Sequence, residues 1–243
     1  MKINILQIYL QMKIKQAIIA FFTVLISITN LNAQTNANVL LRLVTNKIQK
    51  AKDYTVEAHI KVDIPFIKMM PTNVKIYFKQ KDKFKIESKG IAIVPRQGFD
   101  QATKLLADTN SYTAMLQGNE KLGNIQTKLI NVIPLSDTSD MILGKFWIDP
   151  QQNVIIKSQL TTRANGTIVT EYTYGKQIAF GLPDEMIFSV DVKKFKIPKG
   201  IVAEPIKNNE DNKANSNDNK KGKIYITLSN YVVNKGIADS MFK

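Results

Sequence analysis

From Tyr54 onward the chain alternates apolar and polar side chains, segment after segment, to near its C-terminus. In YTVEAHIKVD, Tyr54, Val56, Ala58, Ile60 and Val62 share one side, and Thr55, Glu57, His59, Lys61 and Asp63 the other. Successive side chains of a strand point to opposite faces, so this period marks a strand with one buried face. TNVKIYFKQ repeats it with Val74, Ile76 and Phe78 opposed to Lys75, Tyr77 and Lys79. KFKIES follows with Phe84 and Ile86 on the apolar side, and the polar QKDK between the two makes a hairpin. Further strands are expected at SYTAMLQ, IQTKLINVI, KFWID, NVIIKSQLTT, TIVTEYTY, EMIFSVDVKKFKI and KIYITLSNYVV. Asp149-Pro150 opens a tight link into NVIIKS, and Asn165-Gly166 suits a two-residue hairpin because both residues accept positive φ. About nine strands joined mostly by short turns predict an antiparallel sheet that meanders in chain order.

Helical periodicity occurs once at length. In NANVLLRLVTNKIQKAKD, residues 36–53, Val39, Leu40, Leu43, Val44, Ile48 and Ala51 follow the i, i+3, i+4 rule, with Asn36 or Asn38 as cap. IAIVPRQGFDQATKLLAD holds a short helix, with Asp100 as cap and Phe99, Thr103 and Leu106 on one side. PLSDTSDMILG reads as an irregular or briefly helical insert. The stretch 207–221 is dominated by Asn, Lys and Asp and buries almost nothing, so it is expected to be a disordered loop inside the domain.

One long helix and two short pieces cannot cover the apolar face of so many strands if the sheet lies flat. The expected architecture is therefore mainly β: a strongly curved, incomplete antiparallel barrel covered by the N-terminal helix and short inserted helices, around an apolar interior. IPFIKMMP, residues 64–71, fits that picture. Pro65 and Pro71 cannot donate to a central ladder. The segment's apolar side chains face either the underside of the leading helix or an entering apolar ligand. Met69 and Met70 are unbranched and polarisable, suited to repacking around variable apolar shapes.

Composition narrows the function. With 44% apolar and 22% charged residues, the chain can build a core. It holds no cysteine, which removes disulfides, thiolate metal sites, cysteine nucleophiles and a lipidated N-terminal cysteine. Lys13 and Lys15 precede the apolar run AIIAFFTVLISI and the polar TNLNAQT, the order of a secretory signal. Residues 1–33 are read as that signal, cleaved near Ala33, with Met12 as a second possible start. The rest, 34–243, is read as one domain exported to the periplasm. Net charge is +14, of which Lys2, Lys13 and Lys15 carry three. The surplus is lysine, with arginine only at 42, 96 and 163, on the polar sides of strands. That argues for a solvated face or transient contact with a membrane surface, not for nucleic-acid reading.

No catalytic constellation emerges. His59, the single histidine, lies on a polar strand side without a local nucleophile. Asp137 and Asp140 in SDTSD are the nearest carboxylate pair and suit weak calcium binding, but the Ser and Thr among them mark a helix cap more often than a cation site, so no metal or cofactor is expected.

In chain order, the leading helix into YTVEAHIKVDIPFIKMMP, KIYFKQKDKFKIES, KGIAIVPRQGF, GKFWIDPQQNVIIKSQLTT, YGKQIAFGLPDEMIFSVDV and SNYVVNKGIADSMF together resemble the LolA/LolB superfamily of periplasmic lipoprotein and lipid carriers. The resemblance is to its exported outer-membrane lipoprotein-sorting type, with LppX and LprG as relatives. It implies a half-barrel that carries the acyl chains of a lipid or lipoprotein towards the outer membrane, by contact with membrane or envelope transport proteins. An envelope sensor or scaffold of the RseB kind, binding a partner protein, is the alternative. Inward residues Val56, Ala58, Ile60, Val62, Val74, Ile76, Phe78, Phe84 and Ile86 are then expected to line the cavity. Ile64, Phe66, Met69 and Met70 form its rim, and Trp147 is included from the KFWID strand. The superfamily's lid-clasping arginine finds no assigned counterpart among Arg42, Arg96 and Arg163.

Overall fold

The computed structural model describes residues 37–65, 69–81, 83–88, 102–164, 166–191 and 221–242. The proposed signal, Phe66, Arg96, Phe99, Asp100, Asn165 and the stretch 207–220 lie outside them. Helix α1 runs over 37–48. It is followed by β1 (Asp53–Asp63), β2 (Thr72–Lys79), β3 (Lys83–Ser88) and the short α2 (Ala102–Ala107). Then come β4 (Tyr112–Leu122), β5 (Ile125–Pro134), β6 (Met141–Asp149), β7 (Val154–Thr162), β8 (Gly166–Thr173), β9 (Glu185–Asp191) and β10 (Lys221–Val233).

All ten described strands form one sheet in the order β3-β2-β1-β10-β9-β8-β7-β6-β5-β4. The pairs are antiparallel, and the sheet stays open at β3 and β4. The result is an incomplete barrel with helices at its inner face, as the alternation and the sparse helical periodicity predict. The meander is broken once: the last strand pairs with the first, with Ile60 opposite Ile226 and Val62 opposite Ile224. Two consecutive runs, β1–β3 and β4–β10, are thereby joined.

The two ends of the sheet differ. At the lower end, where β1 begins, Asp53 Oδ1 accepts hydrogen bonds from the backbone N–H groups of Lys235 and Gly236 at 3.1 and 3.0 Å. Asn234, at φ 57°, accepts from Lys52 N–H at 2.7 Å and donates to Lys50 O at 2.9 Å. Asp149 Oδ1 caps the β6–β7 turn through the Gln151 and Gln152 N–H groups. At the upper end β1, β3, β5, β7 and β9 finish and β2, β4, β6, β8 and β10 begin.

Buried side chains form two clusters. One draws on β1, β2, β8, β9 and β10, with Ala51, Ile64 and Leu182 from connections. The other joins α1 and Leu106 of α2 to β4, β5, β6 and β7. Helix α1 buries Ala37, Leu40, Leu41 and Val44, a stripe at i, i+3, i+4, i+7. This corrects the expected phase: Val39 and Leu43 are exposed, and Leu41 is fully buried in their place. Residues Met141–Gly144, expected in an irregular insert, belong to β6.

Candidate ligand-binding face

Val56, Ala58, Ile60, Val62 and Ile64 come from β1 and its end, and Val74 and Ile76 from β2. All are buried in the first cluster. Phe78, Phe84, Ile86 and Met69 pack against it half-buried. The structure thus brings eleven of the fourteen expected residues to one continuous face, through direct cross-strand pairs: Val56 with Ile76, Ala58 with Val74, Ile76 with Ile86 and Phe78 with Phe84. Met70 points away and is 82% exposed. Phe66 is outside the described residues.

Trp147 is on the other face. Phe146 and Ile148 take the inner side of β6 and enter the second cluster, so the residue between them must project outward. Its ring is nonetheless covered. Indole Nε1 donates to Glu120 Oε2 at 2.6 Å, and Lys157 Nζ lies 5.0 Å from the ring centroid. A run of three apolar residues hides the phase of the alternation, which is why the sequence placed it inside.

Of IPFIKMMP, Ile64 belongs to the first cluster and Met69 packs against it, and that cluster includes no residue of α1 among those described. Sequence reading missed the far half of the same face: Ile168, Met186, Phe188, Val190, Ile224, Ile226 and Leu228. The alternation of KIYITLSNYVV carried the signal for three of them. What it lacked was the β1–β10 pairing that puts them beside Ile60.

The lower margin of this face is aromatic. Tyr54 stacks on Phe78 with ring centroids 4.9 Å apart, and Tyr231 lies 5.9 Å from Tyr54. Tyr231 Oη donates to Pro183 O at 2.7 Å and Tyr174 Oη to Ile155 O at 2.8 Å. Tyr172 Oη lies 3.1 Å from Ser158 Oγ. Burial pushes the phenol pKa values of Tyr172, Tyr174 and Tyr231 upward, so the hydroxyls stay neutral.

Among the described residues no group of His, Cys, Asp and Glu is arranged to hold a metal ion. His59 is exposed on the outer side, with Nδ1 2.7 Å from Asn73 Oδ1. Asp140 Oδ1 accepts the Ala164 N–H and braces a turn. Arg42 is exposed on α1, and Arg163 Nε donates to Ser139 O in the upper turns, so neither enters the inner face. No described helix is long and apolar enough to cross a membrane.

No protein-family profile and no curated protein sequence matches this chain. Solved structures do. A DUF1329 family protein from Desulfovibrio piger superposes with TM-score 0.56 at 11% identity, covering 87% of this chain and 97% of that one. A LolA superfamily protein from Nitrosomonas europaea gives 0.54 at 10% identity, covering 85% and 97%. An outer membrane lipoprotein-sorting protein domain from Vibrio parahaemolyticus gives 0.53 at 8% identity, covering 84% and 95%. What these proteins share with this chain is the fold, and the resemblance read from its sequence holds at that level: the chain is built on the architecture of the LolA superfamily.

Proposed function

We propose that this protein is an exported carrier whose first apolar cluster binds the acyl chains of a lipid or lipoprotein. One observation supports the reading above others. Among the described residues the second cluster is roofed by α1 and α2, whereas the first draws its buried members from strands and three residues outside them, Ala51, Ile64 and Leu182. A hydrocarbon chain laid on that face would gain about 0.8 kcal/mol per buried methylene without any directed contact. Its inner rows are buried to within a few per cent, so an entering chain must part side chains already in contact. Met69 is the flexible member at the upper end, and half-buried Phe78, Phe84 and Ile86 border the edge strand.

In this reading residues 1–33 direct export to the periplasm, the chemistry is binding without catalysis, and neither metal, cofactor nor nucleic acid takes part. The architecture shared with LolA-superfamily proteins supports it as a scaffold for such a site. Native mass spectrometry and lipid extraction of the mature protein test it. Recovery of acyl species, with uptake of a fluorescent fatty acid, is expected. Their joint absence refutes it.

A second reading, an envelope sensor or scaffold that binds a partner protein, draws on a different surface. Met115, Ile133, Leu135 and Ile142 are exposed on β4, β5, β6 and their connection, beside the open edge of the sheet. Lipid-independent capture of one envelope protein, lost on Ile133→Asp, would favour it.

A further inference from the structure

The inner face is graded from end to end. On β1 and β10 its upper rows are aliphatic: Ala58, Ile60, Val62 and Ile64 face Leu228, Ile226 and Ile224 across the ladder and its continuation. The lowest row is a band of rings in which Phe84, Phe78, Tyr54 and Tyr231 follow one another across β3, β2, β1 and β10. Phe78, Phe84 and Tyr231 are only half-buried, so ring surface is available there.

The band offers little to a polar headgroup. The hydroxyls of Tyr231 and Tyr174 are committed to backbone carbonyls, and that of Tyr172 meets Ser158. At the lower end Asp53 and Asn234 also hold the start of β1 to the segment after β10 by four hydrogen bonds. The half-buried Met69 is at the opposite end.

We infer that a bound acyl chain lies with its methyl end against the Tyr54–Phe78–Tyr231 band and its polar head at the upper end, so that the band sets the longest chain accepted. This rests on the carrier reading. From Ile64 down to Val56 the strand advances about 26 Å, or roughly 20 Å along a barrel axis at the usual strand tilt. That accommodates an extended chain of roughly sixteen carbons.

The test uses the mature protein and saturated fatty acids of increasing length competing with a fluorescent fatty-acid probe. Kd should tighten about fourfold per added methylene, the equivalent of ~0.8 kcal/mol, and stop tightening near the length that reaches the band. Phe78→Ala should move that break to chains two or three carbons longer, and Phe84→Ala should do so if Phe78→Ala unfolds. Tyr231→Phe, which keeps the ring, should leave it in place. Fatty acids with a photoreactive group at the methyl end should label peptides of the band, and those labelled beside the carboxylate should mark the 69–72 segment. Reversed labelling, or a break unmoved by both alanine variants, overturns the orientation while the carrier reading stands. Absence of binding at every length overturns both.

Discussion

Gly222→Ala, at the head of β10, should destabilise the fold, and the loss should depend on one neighbour. A Cβ at Gly222 would lie 2.6 Å from Ile64 Cγ1 and 3.1 Å from its Cβ and Cγ2. Apolar carbons settle at about 3.5–4.0 Å, so the contact is short by about 1 Å against the rigid, branched part of a buried side chain. Overpacking of this kind costs roughly 1–3 kcal/mol. Against it stands a gain of about 0.4–1 kcal/mol, because alanine has fewer unfolded conformations to lose and no positive φ opposes it here. The net loss lies between zero and roughly 2.6 kcal/mol, about 1.3 kcal/mol at the midpoints of the two ranges, and is read as a lower urea midpoint at unchanged slope. In an Ile64→Ala background the contacts with Cγ1 and Cγ2 are gone and only the 3.1 Å approach to Cβ remains, so the same substitution should cost much less. The cycle therefore measures a coupling between the two sites. An equal loss in both would show that Ile64 does not occupy the space above Gly222, and the close β1–β10 approach at the upper end would be wrong.

Trp147→Phe removes the bond to Glu120 and weakens the Lys157 contact, and should cost about 1–3 kcal/mol in urea denaturation. Fatty-acid affinity should be unaltered, because the ring is on the outer face; weakened binding would count against that placement. Asp239 holds Lys79 and Lys83 at 2.7 Å, and these bonds lower its carboxyl pKa to about 2. Its folded pKa being depressed, whatever it contributes is present above pH 3.8 and lost as pH falls through about 2. The difference in stability between wild type and Asp239→Asn should therefore shrink as pH falls below 3.8, vanish only below about pH 2, and fall with added salt; a constant difference refutes the pairing. Tyr172, Tyr174 and Tyr231 carry the opposite sign. Their raised folded pKa values give stability that is intact below pH 10 and lost as pH rises beyond it. Tyrosinate absorbance should jump together with the loss of circular dichroism, and a smooth titration of a folded protein would contradict their burial.

The sheet was legible where one period governed one face. In β1 each even-numbered residue from Tyr54 to Val62 is buried, as the alternation of YTVEAHIKVD requires. Legibility failed where neighbouring residues were all apolar. VLLRLV in α1 and FWI in β6 fit more than one phase, and only contact with the sheet decides between Leu41 and Leu43, or between Phe146 and Trp147. Tyr77 shows a different failure. It occupies the polar side of β2 yet is buried, because its hydroxyl donates to Glu87 Oε2 at 2.8 Å and Lys75 lies over its ring. The pairing of β10 with β1 left no local trace, since periodicity specifies a face and not a neighbour. The candidate site is divided by the same limit: its β1–β3 half could be read, and its β8–β10 half could not.

That the interior holds two clusters bears on how one sheet can be both stable and receptive. Between them, on the inner side of β7 and β8, Ser158 and Thr170 stand opposite each other, both buried, and Tyr172 meets Ser158. Above them Leu160 of the second cluster pairs with Ile168 of the first, so the clusters meet there, and buried Thr162 lies beyond that pair. Polar side chains bonded to one another give little to a hydrocarbon chain, so a ligand spreading over β1, β2 and β10 has no gain in crossing this polar group. The helix-roofed cluster beyond it, built around Phe146, Leu41 and Ile130, can then keep its packing while the first cluster parts. An interior apolar throughout would couple the two more strongly, since densely packed cores transmit strain from one side chain to the next. Under the proposed carrier function Ser158 and Thr170, unremarkable in the sequence, narrow the apolar contact between the half that would admit a ligand and the half that holds the helices to Leu160, Ile168 and Tyr172.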